Sequence, residues 1–345
     1  MTKEILLDST PVGGRTPVYF IAEIAGNFRN FTEGKRIIKS AISAGCNSIK
    51  FQTFEAETAV TKTAMFDMEN VGKVQQYKVL KEYQCSKKLQ KQIMDYCNAR
   101  EILAFSAPSH INDIDFLEEI DNPVYKIGSD LACHTPLLKI VAQLNKPIIL
   151  STGLCTLEEI RYSVETIFNN GNDQLMLLHC VADYPAKIEE INLDAIKTMQ
   201  DEFDVPVGYS DHSTGPEISI AAATLGAHAI ERHYCHKLNA KGPDAVISSD
   251  ETEMKYIIDT VRKIELARGD GKKKPSRTEC KNRLTNRVSI CAKVDIPPGT
   301  IIREEMIDIK RPGLGIQPRF LTGVIGKTTR KIIHKDDVVT WDMIQ

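Results

Sequence analysis

The chain has 345 residues, of which 42% are hydrophobic, and a formal net charge of −2 at pH 7, a composition typical of globular proteins. This charge balance gives no support for binding nucleic acid or an anionic membrane, and no apolar run approaches the roughly 20 residues that span a bilayer. Because the amino-terminal residues lack the apolar core of a signal peptide and the nine cysteines lack paired spacing, we expect a cytoplasmic protein whose reduced thiols fill the core.

Short apolar runs rich in Val and Ile alternate with helical patterns over residues 1–268. They predict eight strands, at 18–25, 48–54, 102–107, 124–129, 147–153, 175–181, 205–211 and 227–234. Helices are predicted to follow at 32–44, 86–100, 110–121, 135–144, 156–170, 191–203, 215–226 and 250–268. Apolar strands separated by helices indicate a covered parallel sheet, so eight units predict a (β/α)8 TIM barrel, with an open doubly wound sheet as the alternative.

Three segments depart from this alternation. Residues 55–84 form a long polar connection, which in a compact domain is typical of a functional or mobile loop. Residues 269–285 are basic and carry Gly and Pro, which favours a solvated linker over a phosphate-binding patch. In residues 286–345, "PPG" and "PGLG" separate short β-prone runs, so we predict a small β-rich domain that is marginal in size. The predicted organisation is therefore a barrel domain (1–268), a linker and a carboxyl-terminal domain.

Polar residues interrupt the apolar runs near the carboxyl end of each predicted strand. In a TIM barrel this is the end that carries the active site. The polar residues at this position, including one just beyond the sixth strand, are Glu23, Lys50, Gln52, Ser106, Lys126, Ser129, Ser151, His179, Tyr184, Ser210, His212, Glu231 and His233. We interpret His179 as a core or supporting histidine and expect the other residues to gather at the barrel mouth.

The cations among these residues predict an anion site. Lys50 and Lys126 would lie in one mouth near several serine hydroxyls, an arrangement that suits phosphate. Glu23 is either the ion-pair partner of Lys50 or a catalytic carboxylate, and the two roles are compatible.

The two histidines of the last strands predict a metal site. His212 and His233 would lie on adjacent strands about 5 Å apart, close enough to ligate one divalent cation with open positions for water or substrate. A hydrogen-bonded pair of core histidines is the alternative that the spacing leaves open. The residues thus predict a metal-assisted barrel enzyme that acts on a small phosphorylated substrate.

Motifs along the chain resemble those of the N-acetylneuraminate (sialic acid) synthase family. They occur in the family's order and are "FIAEIAGN", "IKFQTF", "YKIGS", "PIILSTG", "LLHCVADYP", "GYSDHS", "AIERHY" and "KGPDAVIS". In the carboxyl-terminal region "DIPPGTII" and "KRPGLGI" resemble the family's antifreeze-like (SAF) domain. The resemblance covers nearly the whole chain, and it identifies the family better than it identifies the sugar.

The resemblance implies a reaction. Phosphoenolpyruvate condenses with the open-chain aldehyde of an N-acylated mannosamine-type sugar, and phosphate leaves through C–O cleavage to give a nine-carbon 2-keto-3-deoxy acid. A divalent metal, manganese or magnesium, is implied at His212 and His233. The family also implies a domain-swapped homodimer in which Arg311 reaches the acyl group of the sugar in the partner's barrel.

The resemblance also implies roles for the residues of the mouth. Glu23 orients the sugar and transfers a proton, and Lys50 and Tyr184 complete the predicted catalytic group. The residues implied to hold phosphoenolpyruvate are Lys50, Lys126, Ser129, Ser151 and Ser210, and those implied to face the sugar are Gln52, Tyr184 and Asp244.

Four positions depart from the family pattern. Phe28, Ala107, Leu131 and Ala182 stand where the family commonly has more polar residues. Leu131 and Ala182 favour a 6-deoxy or diacetamido sugar, as in legionaminic acid synthases, over N-acetylmannosamine. Two alternatives remain, an octulosonate-phosphate-type synthase and a non-catalytic sugar-binding or ice-binding protein. The SAF-like region argues against the first, and the lysine pair, Glu23 and both histidines argue against the second.

Overall fold

The computed structural model describes residues 3–68, 72–236 and 244–345. The strands that it describes are β1 Glu4–Leu7, β2 Thr10–Gly13, β3 Tyr19–Glu23, β4 Ser48–Thr53, β5 Met65–Met68, β6 Gly72–Gln75, β7 Leu103–Pro108, β8 Tyr125–Ile127, β9 Ile148–Ser151, β10 Leu175–Cys180, β11 Val207–Asp211, β12 Ala229–His233, β13 Ser289–Ala292 and β14 Ile307–Lys310. The helices are α1 Phe31–Ala44, α2 Ala56–Ala59, α3 Gln76–Tyr83, α4 Lys87–Asn98, α5 Ile114–Glu119, α6 Thr135–Gln143, α7 Leu157–Asn169, α8 Ala195–Glu202, α9 Glu217–Leu225, α10 Glu251–Arg268, α11 Arg277–Asn286 and α12 Leu321–Val324.

Eight parallel strands close into a barrel, and each coincides with a predicted strand. Their order around the barrel is β3, β4, β7, β8, β9, β10, β11 and β12, which pairs again with β3. The helices that follow these strands are α1, α4, α5, α6, α7, α8, α9 and α10, and each overlaps a predicted helix. The predicted (β/α)8 barrel is therefore confirmed, and the alternative prediction of an open doubly wound sheet is wrong.

The barrel interior has an apolar lower layer and a polar upper layer. Side chains on a strand alternate between the two faces of the sheet, so every second residue points inward. Val124, directly before β8, points inward, and so does Lys126 two residues later. On β9 the inward residue Ile149 is followed two residues later by Ser151. The apolar cluster, here called the barrel floor, consists of Ile5, Leu7, Val12, Tyr19, Ile21, Phe105, Val124, Ile149, Met176, Leu178 and Ala229. The polar layer above it is the barrel mouth, at the carboxyl ends of the strands.

A hairpin that the sequence pattern does not predict completes the barrel floor. Strands β1 and β2 pair antiparallel, and Ile5, Leu7 and Val12 join the apolar cluster of the barrel interior. Each strand has only four residues, so the alternation is too short to separate it from a turn. The hairpin buries the apolar interior at the end opposite the mouth.

The long connection after β4 contains secondary structure. It includes α2, an antiparallel β5–β6 pair and α3. An ion pair of 3.0 Å between Arg29 and Glu82 ties its end to the segment that precedes α1. This connection rises from the carboxyl end of a barrel strand and therefore begins beside the mouth.

The chain divides into two compact units, Met1–Arg268 and Gly269–Gln345. The second has its own apolar core, which includes Ile290, Ile302 and Val339, and an antiparallel β13–β14 pair. Helix α11 lies within the segment predicted to be a linker. None of its described side chains is buried, so its sequence has no periodic apolar pattern that would predict a helix.

No disulfide joins any of the described cysteines, in agreement with the expected reduced state. Five are buried, but Cys133 and Cys280 are exposed, so the expectation that every cysteine fills the core is wrong for these two. None of the described helices combines the length and the apolar character needed to cross a bilayer.

The barrel floor predicts a stability contrast between two adjacent leucines. Leu7 is fully buried in the floor and Leu6 is 52% exposed. We expect Leu7→Ala to lower the free energy of unfolding of the barrel by about 2–5 kcal/mol because it leaves a cavity. The matched change Leu6→Ala should alter it by at most about 0.5 kcal/mol. Urea unfolding followed by circular dichroism measures both, and equal effects would contradict the role of the hairpin.

Candidate active site at the barrel mouth

A buried ion pair joins the first two strands of the barrel. Glu23 and Lys50 are register partners on β3 and β4, and their carboxylate and ammonium groups are in direct contact. Burial raises the pKa of Glu23 to about 7, although the charge of Lys50 opposes the shift. Burial by itself lowers the pKa of Lys50, but the carboxylates of Glu23 and Glu231 outweigh it and the net pKa is raised. Lys50 is therefore favoured as a cation, and the raised pKa of Glu23 lies in the range that suits a general acid–base group.

A second group of charges spans the barrel mouth from β8 and β9 to β11 and β12. The Lys126 Nζ donates to the Ser151 Oγ at 2.6 Å and lies 3.6 Å from the Glu231 Oε1. The Ser210 Oγ donates to the same Glu231 oxygen at 3.0 Å. Burial raises the pKa of Glu231, but Lys126 and Lys50 outweigh this effect and the net pKa is lowered. Glu231 is therefore an ionised carboxylate that balances the charge of both lysines.

His212 is held in the tautomer that suits a metal ligand. Its Nδ1 lies 2.7 Å from the Val181 carbonyl oxygen. A carbonyl oxygen only accepts, so Nδ1 carries the proton and Nε2 keeps its lone pair. Burial lowers the pKa of His212, which favours the neutral ring that binds metals.

His233 lies beside His212 with an unsatisfied ring nitrogen. The ring centroids are 5.4 Å apart, and no described hydrogen bond joins the two rings. The Nδ1 of His233 has no hydrogen-bond partner among the described residues and lies 3.5 Å from the Asp244 Oδ2. Burial, with a smaller contribution from His212, holds the pKa of His233 well below its usual value.

The residues present therefore fit a divalent cation held by two neutral imidazoles. No group of three or more His, Cys, Asp or Glu side chains with metal-binding geometry occurs in the described parts of the chain. The two histidines would thus leave several coordination positions open, as a catalytic site requires.

Tyr184 and Asp244 border the two histidines. The Tyr184 ring stacks on His212 at 4.3 Å and meets His233 edge-on at 5.9 Å. Burial raises the pKa of Tyr184 well above its usual value, so it remains a neutral phenol. Burial also raises the pKa of Asp244 to about 6, against the attraction of Lys50.

Two other predicted residues lie at the edge of the mouth. Gln52 is half-buried on the same face of β4 as Lys50 and pairs in register with Ala107. The Ser129 Oγ accepts from the Gly153 N–H at 3.0 Å and lies 3.1 Å from the Cys180 Sγ. Cys180 is a buried residue of the mouth that sequence reasoning missed, because nothing in its spacing separates it from a core cysteine.

Some of the predicted positions lie outside the mouth. The Ser106 hydroxyl is 2.7 Å from that of Thr53, on the helix-facing side of the sheet. The His179 ring also lies on that side, 2.8 Å from the Ile191 carbonyl oxygen, as expected for a core or supporting histidine. Arg311 is exposed in the second unit, and its predicted contact with a partner's sugar stays a prediction.

The departures from the family pattern have different surroundings. Phe28 belongs to the apolar cluster between barrel and helices, and Leu131 packs against that cluster. Ala107 is buried on the inward face of β7, two residues beyond Phe105 of the barrel floor. Of these three positions, Ala107 therefore bears most directly on the polarity of the mouth.

The comparisons with known proteins agree with this architecture. The model of the NeuB family matches residues 37–273, and that of the SAF domain matches residues 287–345. The chain belongs to the NeuB family.

Relatives in this family match over nearly their whole length. The N,N'-diacetyllegionaminic acid synthase of Legionella pneumophila is 33% identical over 97% of both chains. The pseudaminic acid synthase of Campylobacter jejuni is 34% identical over 93% of this chain and 95% of that protein. The crystal structure of the N-acetylneuraminic acid synthetase of Leptospira borgpetersenii is similar with a TM-score of 0.72 at 31% identity, over 82% of this chain and 95% of that one. These relatives are synthases, and the NeuB-family chain described here is an enzyme, as predicted.

The elevated pKa of Glu23 predicts how stability changes with pH in the metal-free protein. Its folded-state pKa of about 7 exceeds the ordinary value of 4.5, so the protonated carboxyl stabilises the fold. This contribution is complete below pH 4.5 and is lost as the pH rises through 7. Because Gln cannot ionise, the free energy of unfolding of Glu23→Gln relative to wild type should rise by about 3 kcal/mol between pH 4.5 and 8.

Glu231→Gln is the matched control in the same barrel mouth. The pKa of Glu231 is lowered from 4.5, so this carboxylate stays ionised through the same pH window. Its variant should therefore keep a constant stability difference from wild type between pH 5 and 8. Denaturant titrations across this range measure both variants, and a flat curve for Glu23→Gln would show that Glu23 does not titrate there.

Proposed function

We propose that this enzyme condenses phosphoenolpyruvate with the open-chain aldehyde of an N-acylated mannosamine-type sugar. A water molecule adds to C2 of phosphoenolpyruvate and supplies the keto oxygen, and phosphate leaves by C–O cleavage. The product is a nine-carbon 2-keto-3-deoxy acid. The observation that carries the proposal is that two buried lysines and two neutral histidines share one barrel mouth. The names of the relatives, which are synthases of legionaminic, pseudaminic and N-acetylneuraminic acids, support this class of product.

Phosphoenolpyruvate would be held by the cationic side of the mouth. Lys126 is already oriented by its bonds to the Ser151 hydroxyl and to the Ile127 carbonyl oxygen. A preorganised donor loses less entropy on binding, and charge-assisted hydrogen bonds to phosphate or carboxylate are strong. Lys50, with the hydroxyls of Ser129 and Ser210, would supply further donors. An anion with several charges also compensates the two buried cations more completely than Glu23 and Glu231 do alone.

The sugar would occupy the side of the mouth nearer Asp244. Glu23 would orient it and transfer a proton, because burial places the pKa of this carboxyl at about 7. Gln52, Tyr184 and Asp244 would contact its polar groups. We further propose that the protein is a domain-swapped homodimer in which Arg311 contacts the acyl group of the sugar bound by the partner.

His212 and His233 would hold a divalent cation, which we propose to be manganese, with magnesium as the other candidate. When bound, the cation supplies Lewis-acid polarisation of the aldehyde oxygen. The chain itself contributes two neutral rings, one of them fixed by the Val181 carbonyl oxygen, and a largely buried setting in which electrostatic effects are strong.

The proposed acceptor is a 6-deoxy or diacetamido sugar of the kind that leads to legionaminic acid. The small apolar Ala107 beside Gln52 on the inward face supports this choice, as does the Legionella relative. Product mass spectrometry with a panel of aminosugars and phosphoenolpyruvate tests it. We expect the mass of a diacetamido nine-carbon acid at the highest rate. A clear preference for N-acetylmannosamine would contradict the choice of sugar, and failure of every aminosugar would contradict the reaction.

The proposed metal role predicts the effect of removing one ligand. His233→Ala should lower sugar-dependent phosphate release by more than about a hundredfold, since even the outer partners of metal ligands contribute 10–100-fold. The fold should remain intact by circular dichroism. The control is His334→Ala, because the His334 side chain is 62% exposed in the second unit and should leave the rate unchanged. A His233→Ala variant with wild-type activity would refute the metal role.

A further inference from the structure

Arg232 is a buried cation on the outer face of the strand that carries His233. Its neighbours Glu231 and His233 point into the barrel mouth, so the alternation of β12 directs Arg232 toward the helices. It is 1% exposed and is the largest fully buried side chain of the described chain. The register partner of Arg232 on β11 is Asp211, which in turn precedes His212.

Each donor of the Arg232 guanidinium has an acceptor. An arginine side chain offers five N–H groups in a rigid plane. Nη1 donates to the Asp211 Oδ2 at 2.5 Å and to the Ser219 Oγ at 3.3 Å. Nη2 donates to the Ser213 carbonyl oxygen at 3.1 Å and to the Glu253 Oε1 at 3.0 Å. Nε donates to the Ser249 Oγ. Lysine has a single nitrogen, so it cannot reach all of these acceptors.

These contacts fix the backbone on both sides of His212. Asp211 accepts from Arg232 through Oδ2 and from the Ser213 N–H and hydroxyl through Oδ1, at 2.8 and 2.6 Å. The Ser213 carbonyl oxygen is bound by Arg232 itself. His212 therefore lies between two residues that are anchored to the same guanidinium.

The same guanidinium reaches the backbone of His233. Arg232 is adjacent to His233 in the chain, and its Nε bonds the Ser249 hydroxyl. The Ser249 N–H donates to the His233 carbonyl oxygen at 2.9 Å. Arg232 thus links the exits of β11 and β12 where the two histidines leave the sheet.

We propose that Arg232 is a positioning residue that keeps His212 and His233 at the separation at which they bind a divalent cation. This inference rests on the proposed function, because it assigns the cation to these histidines. Arg232 lies on the outward face of β12 and would act through the backbone of the two histidines. A buried ion pair contributes little net stability compared with apolar packing. An arginine whose five donors all have acceptors, and which lies between two predicted metal ligands, is therefore better explained by the need to hold those ligands in place than by stability.

Manganese binding to the metal-free protein tests the proposal. The signal of free Mn²⁺ in electron paramagnetic resonance gives the Kd of wild type and Arg232→Lys without any turnover. We expect Kd to rise about 10–100-fold in the variant, the range found for outer partners of metal ligands. A folded Arg232→Lys protein that binds Mn²⁺ within about threefold of wild type would overturn the proposal.

Arg262→Lys is the matched control. Arg262 bonds both Glu265 oxygens at 2.9 Å and the Val18 carbonyl oxygen at 2.8 Å, next to the amino-terminal end of β3 and far along the strand from the mouth. Its Lys variant should bind Mn²⁺ like wild type, and equal weakening in both variants would overturn the proposal because it would indicate a general loss of rigidity.

A second variant covers the case in which Arg232→Lys fails to fold. The Glu253 side chain is 22% exposed, so we expect Glu253→Gln to fold. The glutamine oxygen still accepts a hydrogen bond, but the uncharged side chain weakens the contact with the Arg232 Nη2. We expect its Kd for Mn²⁺ to rise, though less than for Arg232→Lys, and an unchanged Kd would overturn the proposal. If wild-type protein binds no Mn²⁺, both this inference and the proposed metal role are overturned. If wild type and both variants bind Mn²⁺ equally well, only the inference about Arg232 is overturned.

Discussion

The organisation of this site depends on charge balance among side chains that the closed barrel removes from water. A buried lysine or carboxylate without a partner is strongly destabilising, so each cation of the barrel mouth must lie beside an anion. Lys50 contacts Glu23 across β3 and β4, and Lys126 faces Glu231 across the barrel. Glu231 also interacts with Lys50, so the four groups form one coupled set. Exchange of these internal anions for a substrate anion would favour the proposed binding of a small phosphorylated acid.

The alternation of side chains between the two faces of each strand connects this polar layer to the rest of the barrel. Inward residues below the mouth are apolar and build the barrel floor, and outward residues next to His212 and His233 build the Arg232 network. The two faces of β11 and β12 thus have separate tasks. Ser210, His212, Glu231 and His233 face the mouth, while Asp211 and Arg232 fasten the strands to the helix layer. The residues proposed for chemistry and the residues proposed for positioning thus alternate along the same short strands.

Much of this arrangement could be predicted because it follows from local patterns. The two-residue step from Val124 to Lys126 is visible in the sequence, and so is the outward direction of Arg232. Register is not visible, so the pairing of Glu23 with Lys50 and the central position of Glu231 required the structure. The β1–β2 hairpin was not predicted because its strands are short. Cys180 was not predicted because only its neighbours in the folded structure distinguish it from a core cysteine. The tautomer of His212 depends on the Val181 carbonyl oxygen, 31 residues away in the chain.

The central claim is that one barrel mouth binds a divalent cation and phosphoenolpyruvate side by side. The most direct measurement is a crystal structure of the protein with Mn²⁺ and phosphoenolpyruvate, with diffraction data collected at the manganese absorption edge. We expect an anomalous peak between His212 and His233 and ligand density against Lys126 and Ser151. A manganese peak away from both histidines, or phosphoenolpyruvate bound outside the barrel mouth, would contradict it.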